Sequence, residues 1–165
     1  MNLISLHRSP QLRAYYDTWN NWLFLDWYGS LSLATVQQNC LALLRCCCAY
    51  PCQRVLNSNA QVHEIHDSVV PWVKNEFVPY LEQLGIGQLA WVQAALPTGR
   101  QMVQQALLQP TLLDLGAFDE LEAAVEWLQE TQPSGCSILP RPANYRENLE
   151  ARAAELIARV SAAAS

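Results

Sequence analysis

Strand-like runs alternate with helix-like stripes along most of this chain, and that alternation constrains the fold more than any other feature. Aromatic runs at 12–18 and 22–28 flank Asn20-Asn21, where Asn tolerates the positive φ of a tight turn, and they predict a β-hairpin. Beyond the hairpin, helices separate successive strands, which favours right-handed parallel crossovers. We therefore predict an α/β fold in ββαβαβαβα order, with a mixed, mostly parallel sheet whose first strand is antiparallel.

Apolar spacing and terminal residues define the predicted elements after the hairpin. Helix-like stripes span about 32–50, 67–84, 98–108 and 118–130, and strand-like runs span about 54–57, 88–94 and 111–115. Pro51 ends the first of these helices, and Asp67 or Ser68 is the expected N-cap of the second. Within the second helix Pro79 predicts a kink, and Gly85 is the expected residue after its end.

The chain divides by composition into four segments. Residues 1–11 are an N-terminal extension, 12–130 the α/β domain, 131–142 a Pro-rich linker, and 143–165 an Ala-rich amphipathic helix. An isolated helix of that length is only marginally stable in water. Its narrow apolar stripe can dock on the parent domain or pair with another chain, and the sequence leaves both alternatives open.

Composition argues against several classes of function. The formal net charge is −5 and the ten Lys and Arg residues are scattered, so we expect no binding to nucleic acid. No window holds the roughly 18 consecutive apolar residues of a membrane-spanning helix. Residues 1–10 also lack the apolar stretch of a signal peptide. We therefore expect a cytoplasmic protein without an integral membrane segment.

The low content of charged residues points to a covered apolar surface. Charged residues make up 15% of the chain and apolar residues 51%, including six Trp. Soluble domains carry about 25% charged residues on average. We therefore expect a protein partner, in the simplest case a second copy in a homodimer.

One segment resembles a known family. The predicted strand 54–57, the polar stretch after it, and Asp67-Ser68 at the start of a helix resemble the strand and the Asp-Ser phosphorylation loop of STAS domains. The element order over 12–130 is also similar to that of this family, which contains the anti-sigma-factor antagonists, and to that of STAS-like and CRAL-TRIO-like bacterial proteins.

The resemblance implies a non-catalytic regulatory module that works through protein contacts. In such a module Ser68 would be the phosphorylatable residue, and the regulatory loop would consist of Asn57, Ser58, Asn59, Asp67 and Ser68. The residues alone support a plainer alternative, in which Asp67 and Ser68 only cap a helix.

A second hypothesis is the binding of a small apolar ligand or a lipid, as in CRAL-TRIO-like proteins. Open α/β sheets bind ligands beyond the carboxyl ends of their strands. The candidate contact residues near those ends are His63, His66, Trp72, Trp91, Thr98 and Arg100. Thr98 and Arg100 open a helix and could bind an anion there, but a simple N-cap by Thr98 is the alternative.

An enzyme that uses His63, His66 or Cys52 is the third hypothesis. The two histidines are three residues apart in a predicted loop, whereas the zincin motif places them four apart on a helix, so we predict no metal site. Four of the six cysteines lie on one predicted helix, where neighbours cannot pair, and buried thiols explain them. We predict no catalytic residues and no cofactor.

Overall fold

A single six-stranded sheet forms the centre of the computed structural model, which describes residues 1–50, 52–108 and 110–131 together with 147, 151, 154, 155, 158, 159 and 162. The strands are β1 (Leu3–Arg8), β2 (Leu12–Asp17), β3 (Trp22–Leu31), β4 (Arg54–Ile65), β5 (Gln88–Val92) and β6 (Asp114–Phe118). They lie side by side in chain order. The pairs β1–β2 and β2–β3 are antiparallel, and the pairs from β3 to β6 are parallel. The predicted α/β class and mixed sheet are confirmed.

The helices divide between the two faces of the sheet. They are α1 (Leu33–Ala49), α2 (Val69–Trp72), a π-helix (Val73–Phe77), α3 (Val78–Gln83), α4 (Pro97–Leu107) and α5 (Leu121–Glu130). Residues of α1 through α4 share the larger apolar core with one face, whereas α5 packs in a smaller core on the other face. The strands β3 to β6 follow one another across the sheet in chain order. Right-handed crossovers that all step in the same direction place their connecting helices on the same face, whereas α5 follows the last strand and belongs to no crossover.

Strand β1 lies in the segment predicted as an N-terminal extension and was not foreseen. It pairs with β2, so the sheet opens with two antiparallel pairs rather than one. Leu3 and Ile4 are exposed, and no residue of β1 is fully buried. A strand without a buried face lacks the apolar alternation by which strands are recognised in a sequence. The predicted hairpin of β2 and β3 is confirmed, with Asn21 at φ 55° in its turn.

Strand β4 is three times as long as predicted, which corrects the assignment of 57–68 as a polar loop. It continues to Ile65 and pairs with β3 throughout, while β5 accompanies it only as far as Ser58. Beyond that point β3 and β4 form a two-stranded ribbon with two irregularities in register. Val62 and Ile65 face the core and the residues between them are exposed. Polar residues on that exposed side imitate a loop in the sequence.

The last strand of the sheet begins three residues later than the predicted run 111–115. Residues 111–113 are instead irregular, with a bend at Leu112 and Leu113, and the Glu82 carboxylate holds this segment. The Thr111 hydroxyl donates to this carboxylate over 3.2 Å and the Leu112 amide over 2.8 Å. This long-range contact between α3 and the segment could not be inferred from local pattern.

The predicted helix 67–84 exists, but it changes register rather than running as one α-helix. The Val78 amide donates to the Val73 carbonyl, five residues back, in the turn that precedes Pro79. Pro79 has no N–H and removes one donor from the ladder. π-Turns of this kind occur often at functional sites. Gly85 follows the helix at φ 81°, as predicted.

The predicted linker after Thr131 and most of the predicted C-terminal helix lie outside the described residues. Those described between 147 and 162 are helical and exposed. Arg159 donates to the Tyr80 hydroxyl over 3.1 Å and lies 3.8 Å from the Glu76 carboxylate, so this part of the chain contacts the π-helix and α3. Among the described residues, no helix combines the length and the apolar character that crossing a membrane requires.

Candidate functional site

A narrow chamber lies between the sheet and the helices on its larger core face. A water-sized sphere can place its centre in about 20 Å³ of it, which is room on the order of one water molecule, and the wider figure of about 310 Å³ includes open solvent. The sheet contributes Trp27, Leu31, Asn57, Asn59 and Trp91, and the helices contribute Val36, Cys40, Val69, Val73, Phe77 and Met102. All eleven residues are buried. The chamber therefore resembles small-molecule pockets in its lining, which is mostly apolar with a few polar groups.

Three side chains on β3 and β4 form a hydrogen-bonded relay at the floor of the chamber. The Trp27 Nε1–H donates to Asn57 Oδ1 over 2.9 Å, and Asn57 Nδ2 donates to Asn59 Oδ1 over 3.1 Å. Asn57 and Asn59 point to the same side of β4 because side chains alternate along a strand. Buried amides are costly unless they are bonded, so the relay stabilises the two asparagines in an otherwise apolar layer.

Trp91 supplies a polar group that the protein leaves unpaired. Its backbone lies directly beside Asn57 in the parallel pairing of β4 with β5, and its side chain is 3% exposed. Its indole N–H finds no acceptor among the described residues. A buried donor without a partner costs about 1–3 kcal/mol, and such groups in folded proteins call for an explanation.

The described side chains of the chamber walls offer neither a charge nor a reactive thiol. Of the described side chains that line it, none is charged. Burial raises the pKa of the Cys40 thiol well above its ordinary value, so this cysteine remains a protonated, unreactive wall group. The π-helix contributes Val73 and Phe77, which places its irregular backbone directly at the chamber.

The five residues predicted as one regulatory loop are not brought together. Asn57, Ser58 and Asn59 are buried in β4, so their assignment to a loop was wrong. The reason is that Asn57 and Asn59 satisfy each other in the core, which a sequence shows only as polarity. Asp67 and Ser68 lie in a turn beyond the far end of the β3–β4 ribbon.

The turn at Asp67 and Ser68 differs from the predicted N-cap. Ser68 precedes α2 but has helical backbone angles and makes no capping bond with its side chain. Its hydroxyl instead lies 2.8 Å from His66 Nδ1, and Asp67 is exposed. The turn is tied locally to His66, which explains why the cap is absent.

The remaining predicted ligand residues separate. His63 and His66 are exposed, on β4 and in the turn after it, and the described part of the chain holds no group of three or more residues placed to share a metal ion. Trp72 stacks on Phe77 at 6.2 Å between ring centres, outside the chamber lining, so Trp91 alone of this set faces the chamber.

Thr98 and Arg100 lie within the first turns of α4. Leu96 is the N-cap of this helix and Pro97 its first residue, so the predicted cap by Thr98 is wrong. Proline at the first helical position has no N–H to leave unsatisfied, and the helix therefore begins one residue earlier than predicted. Arg100 pairs with Asp119 at 3.1 Å. Its guanidinium therefore already lies beside a carboxylate.

Cys52, the candidate reactive thiol, is buried beside β4. Its Sγ donates to the Arg54 carbonyl over 3.4 Å, and its side chain is packed in the larger core. Reactive thiols require access and a stabilised thiolate. A buried position with an S–H that acts as donor is typical of a packing residue.

Comparisons with known proteins add no relative. No family model, no curated protein and no solved structure matches this chain.

Proposed function

We propose that this chain is a non-catalytic, STAS-like binding module that takes up a small, uncharged molecule in the chamber. The observation that carries the proposal is the unpaired indole N–H of Trp91, buried at a cavity with apolar walls. A bound molecule would satisfy this donor and fill space that the side chains leave empty. Core cavities without such a role are costly, since packing interactions are lost around them.

The shape and charge of the chamber restrict the molecule. The described lining residues offer an ion no charged partner. Transfer of an ion from water to such a site costs on the order of 5 kcal/mol. The space open to a water-sized sphere is small, so a molecule larger than a water requires the lining side chains to move apart, and a flat or slender one requires the least movement. A flat aromatic ring that enters beside the indoles of Trp27 and Trp91 and the ring of Phe77 meets both restrictions.

Filling the chamber should weaken uptake. We expect Val73→Phe to weaken the binding of para-fluoroacetophenone by about tenfold or more, because the larger ring occupies the space beside the π-helix. Fluorine NMR of the probe measures the affinity. The matched control is Val125→Phe, the same change on α5 in the opposite core, which should leave the affinity within about twofold of wild type. Equal affinities of all three proteins would place the probe elsewhere.

A second candidate function, protein contact, is favoured by the outer edge of β1, which no other described strand pairs with. Leu3 and Ile4 are 40% and 42% exposed and no side chain from Leu3 to Leu6 is charged, so the first half of β1 lacks protection against strand addition, whereas the second half carries a register irregularity and the exposed Arg8. Natural edge strands usually carry such protection. Antiparallel pairing of β1 with β1 of a second copy would satisfy the open backbone groups and close a two-fold dimer. This is the homodimer expected from the composition.

A single substitution that introduces a charge into β1 tests the dimer. We expect the wild-type protein to be a dimer by light scattering and Ile4→Lys to be a monomer, because a buried lysine would face its symmetry mate. Leu112→Lys, at an 84% exposed position away from β1, is the control and should remain dimeric. A monomeric wild type at high concentration would contradict the proposal. Dissociation by the control alone would move the interface to another surface.

A further inference from the structure

We infer that the chamber selects its ligand by hydrogen-bond polarity: it takes a neutral carbonyl compound and rejects a molecule that offers only a donor. The inference deepens the proposed function and rests on it. It follows from the direction of the relay at the chamber floor, which leaves the Asn59 amide nitrogen over, and from the unpaired indole N–H of Trp91.

The direction of the relay is fixed at its first member. An amide side chain can turn its oxygen or its nitrogen toward a neighbour, but an indole N–H can only donate. Because Trp27 Nε1 lies 2.9 Å from Asn57, the oxygen of that amide must face the indole. The nitrogen of Asn57 then faces Asn59, at 3.1 Å, and requires an oxygen there. Trp27 thereby sets the orientation of both amides.

Two donors at the chamber have no acceptor among the described residues: one ends the relay and the other, on Trp91, lies outside it. The Asn59 amide uses its oxygen inside the relay, and its Nδ2 makes no hydrogen bond with the described residues. Trp91 Nε1 is the second donor without an acceptor. Both residues line the chamber and both are buried. The donors at the floor that have no partner among the described residues therefore come from Asn59 and Trp91.

The strongest acceptors in the lining, the Asn57 and Asn59 oxygens, each already accept one hydrogen bond within the relay. Met102 has a thioether and Cys40 a protonated thiol, both of which accept only weakly. A ligand hydroxyl or amine would have to share one of the occupied oxygens or bury a proton without a partner, which costs about 1–3 kcal/mol, whereas a carbonyl oxygen brings two lone pairs and no proton. A carboxylate also accepts, but it would bury a charge without a counter-ion. Ketones, aldehydes and esters are the class that remains.

The test compares two probes of nearly equal shape. Para-fluoroacetophenone and para-fluoro-α-methylstyrene differ only in a carbonyl oxygen against a methylene group. We expect the wild-type protein to bind the ketone at least about fivefold more tightly by fluorine NMR, the effect of one hydrogen bond. The preference should fall below about twofold in Trp91→Phe, and it should be unchanged in Trp19→Phe, a matched change at an exposed residue.

The Trp27→Phe variant provides a readout that loss of packing would not produce. Without the indole donor both amides can reverse, and Asn59 can then present its oxygen to the chamber. We expect this variant to gain affinity for fluoroindole, which has only a donor, while the ketone preference falls. Its thermal unfolding curve establishes that it is folded. No gain for fluoroindole in a folded variant would overturn the role given to Trp27.

The failures are distinguishable. If the wild type binds both probes equally, selection by polarity is wrong while uptake by the chamber stands. If the wild type binds neither probe, both proposals are overturned, and a single buried water remains as the occupant of the chamber. The comparison in the wild type needs no variant and therefore does not depend on the folding of one.

Discussion

Asn57→Ala should lower the free energy of unfolding by about 2–4 kcal/mol, more than expected for any other single change in the relay. The substitution removes two hydrogen bonds in a buried site and leaves the Trp27 N–H and the Asn59 oxygen without partners. Each buried group left unsatisfied costs about 1–3 kcal/mol. Urea denaturation measures the effect, with an unchanged m-value as the sign that the unfolding remains comparable.

Two neighbours of Asn57 serve as controls for that result. Asn59→Ala leaves only one group unsatisfied, the Asn57 amide nitrogen, and should cost about half as much. Ser58→Ala removes a buried hydroxyl that accepts only a long 3.4 Å bond from the Ala60 amide, and should cost less than about 1 kcal/mol. If all three variants lost the same stability, the relay would have no special energetic role.

Gly99→Val should lower the free energy of unfolding by about 1–3 kcal/mol through overpacking. A Cβ at this position would lie 2.8 Å from the Ala94 Cβ and 3.4 Å from its carbonyl oxygen, so α4 would have to move away from the loop that follows β5. Main-chain atoms cannot yield as a flexible side chain can. The glycine of the Pro97-Thr98-Gly99-Arg100 sequence is therefore explained by a close approach of two backbones.

A compensating pair distinguishes this explanation from a loss of helix propensity. Thermal unfolding should show that Gly99→Ala is destabilising and that Ala94→Gly added to it restores part of the loss, because the Cβ atom in conflict has been removed. Alanine favours a helix over glycine by about 1 kcal/mol, so Gly99→Ala would be stabilising if packing were relaxed. A stabilised Gly99→Ala variant would contradict the close contact.

The fold could be predicted from the sequence wherever a helix or strand has one buried side. The alternation of helices and strands, the turn at Asn21 and the glycine at 85 all follow local rules, and the structure agrees with them. Strand β1 and the outer half of β4 were missed because their exposed residues carry no apolar alternation. The irregular segment that delays β6 depends on Glu82, distant in the chain, and lies beyond any local pattern.

The residues of the chamber could be predicted from the sequence only in part. Trp72 and Trp91 were candidate ligand-contact residues, and of the two only Trp91 is in the chamber lining. Asn57 and Asn59 were singled out as loop residues, although their spacing by two within an apolar strand is the signal of a polar pair on one buried face. Trp27 was missed because β3 is apolar on both sides and the sequence does not show which side holds a cavity.

Phosphorylation of Ser68 stays a prediction of the family resemblance. The Ser68 hydroxyl is placed at the surface against His66, beyond the end of the ribbon and apart from the buried relay. Because Val69, the next residue, lines the chamber, a phosphate on Ser68 would lie close to one wall of it.

The most direct test of the central claim is a crystal structure of the protein grown with para-fluoroacetophenone. We expect the probe in the chamber, with its ring between the helical wall and the sheet and its carbonyl oxygen about 3 Å from Trp91 Nε1. A chamber that holds only a water molecule at a saturating probe concentration would contradict the account. A probe that binds there with its oxygen turned away from Trp91 and Asn59 would contradict the polarity argument alone.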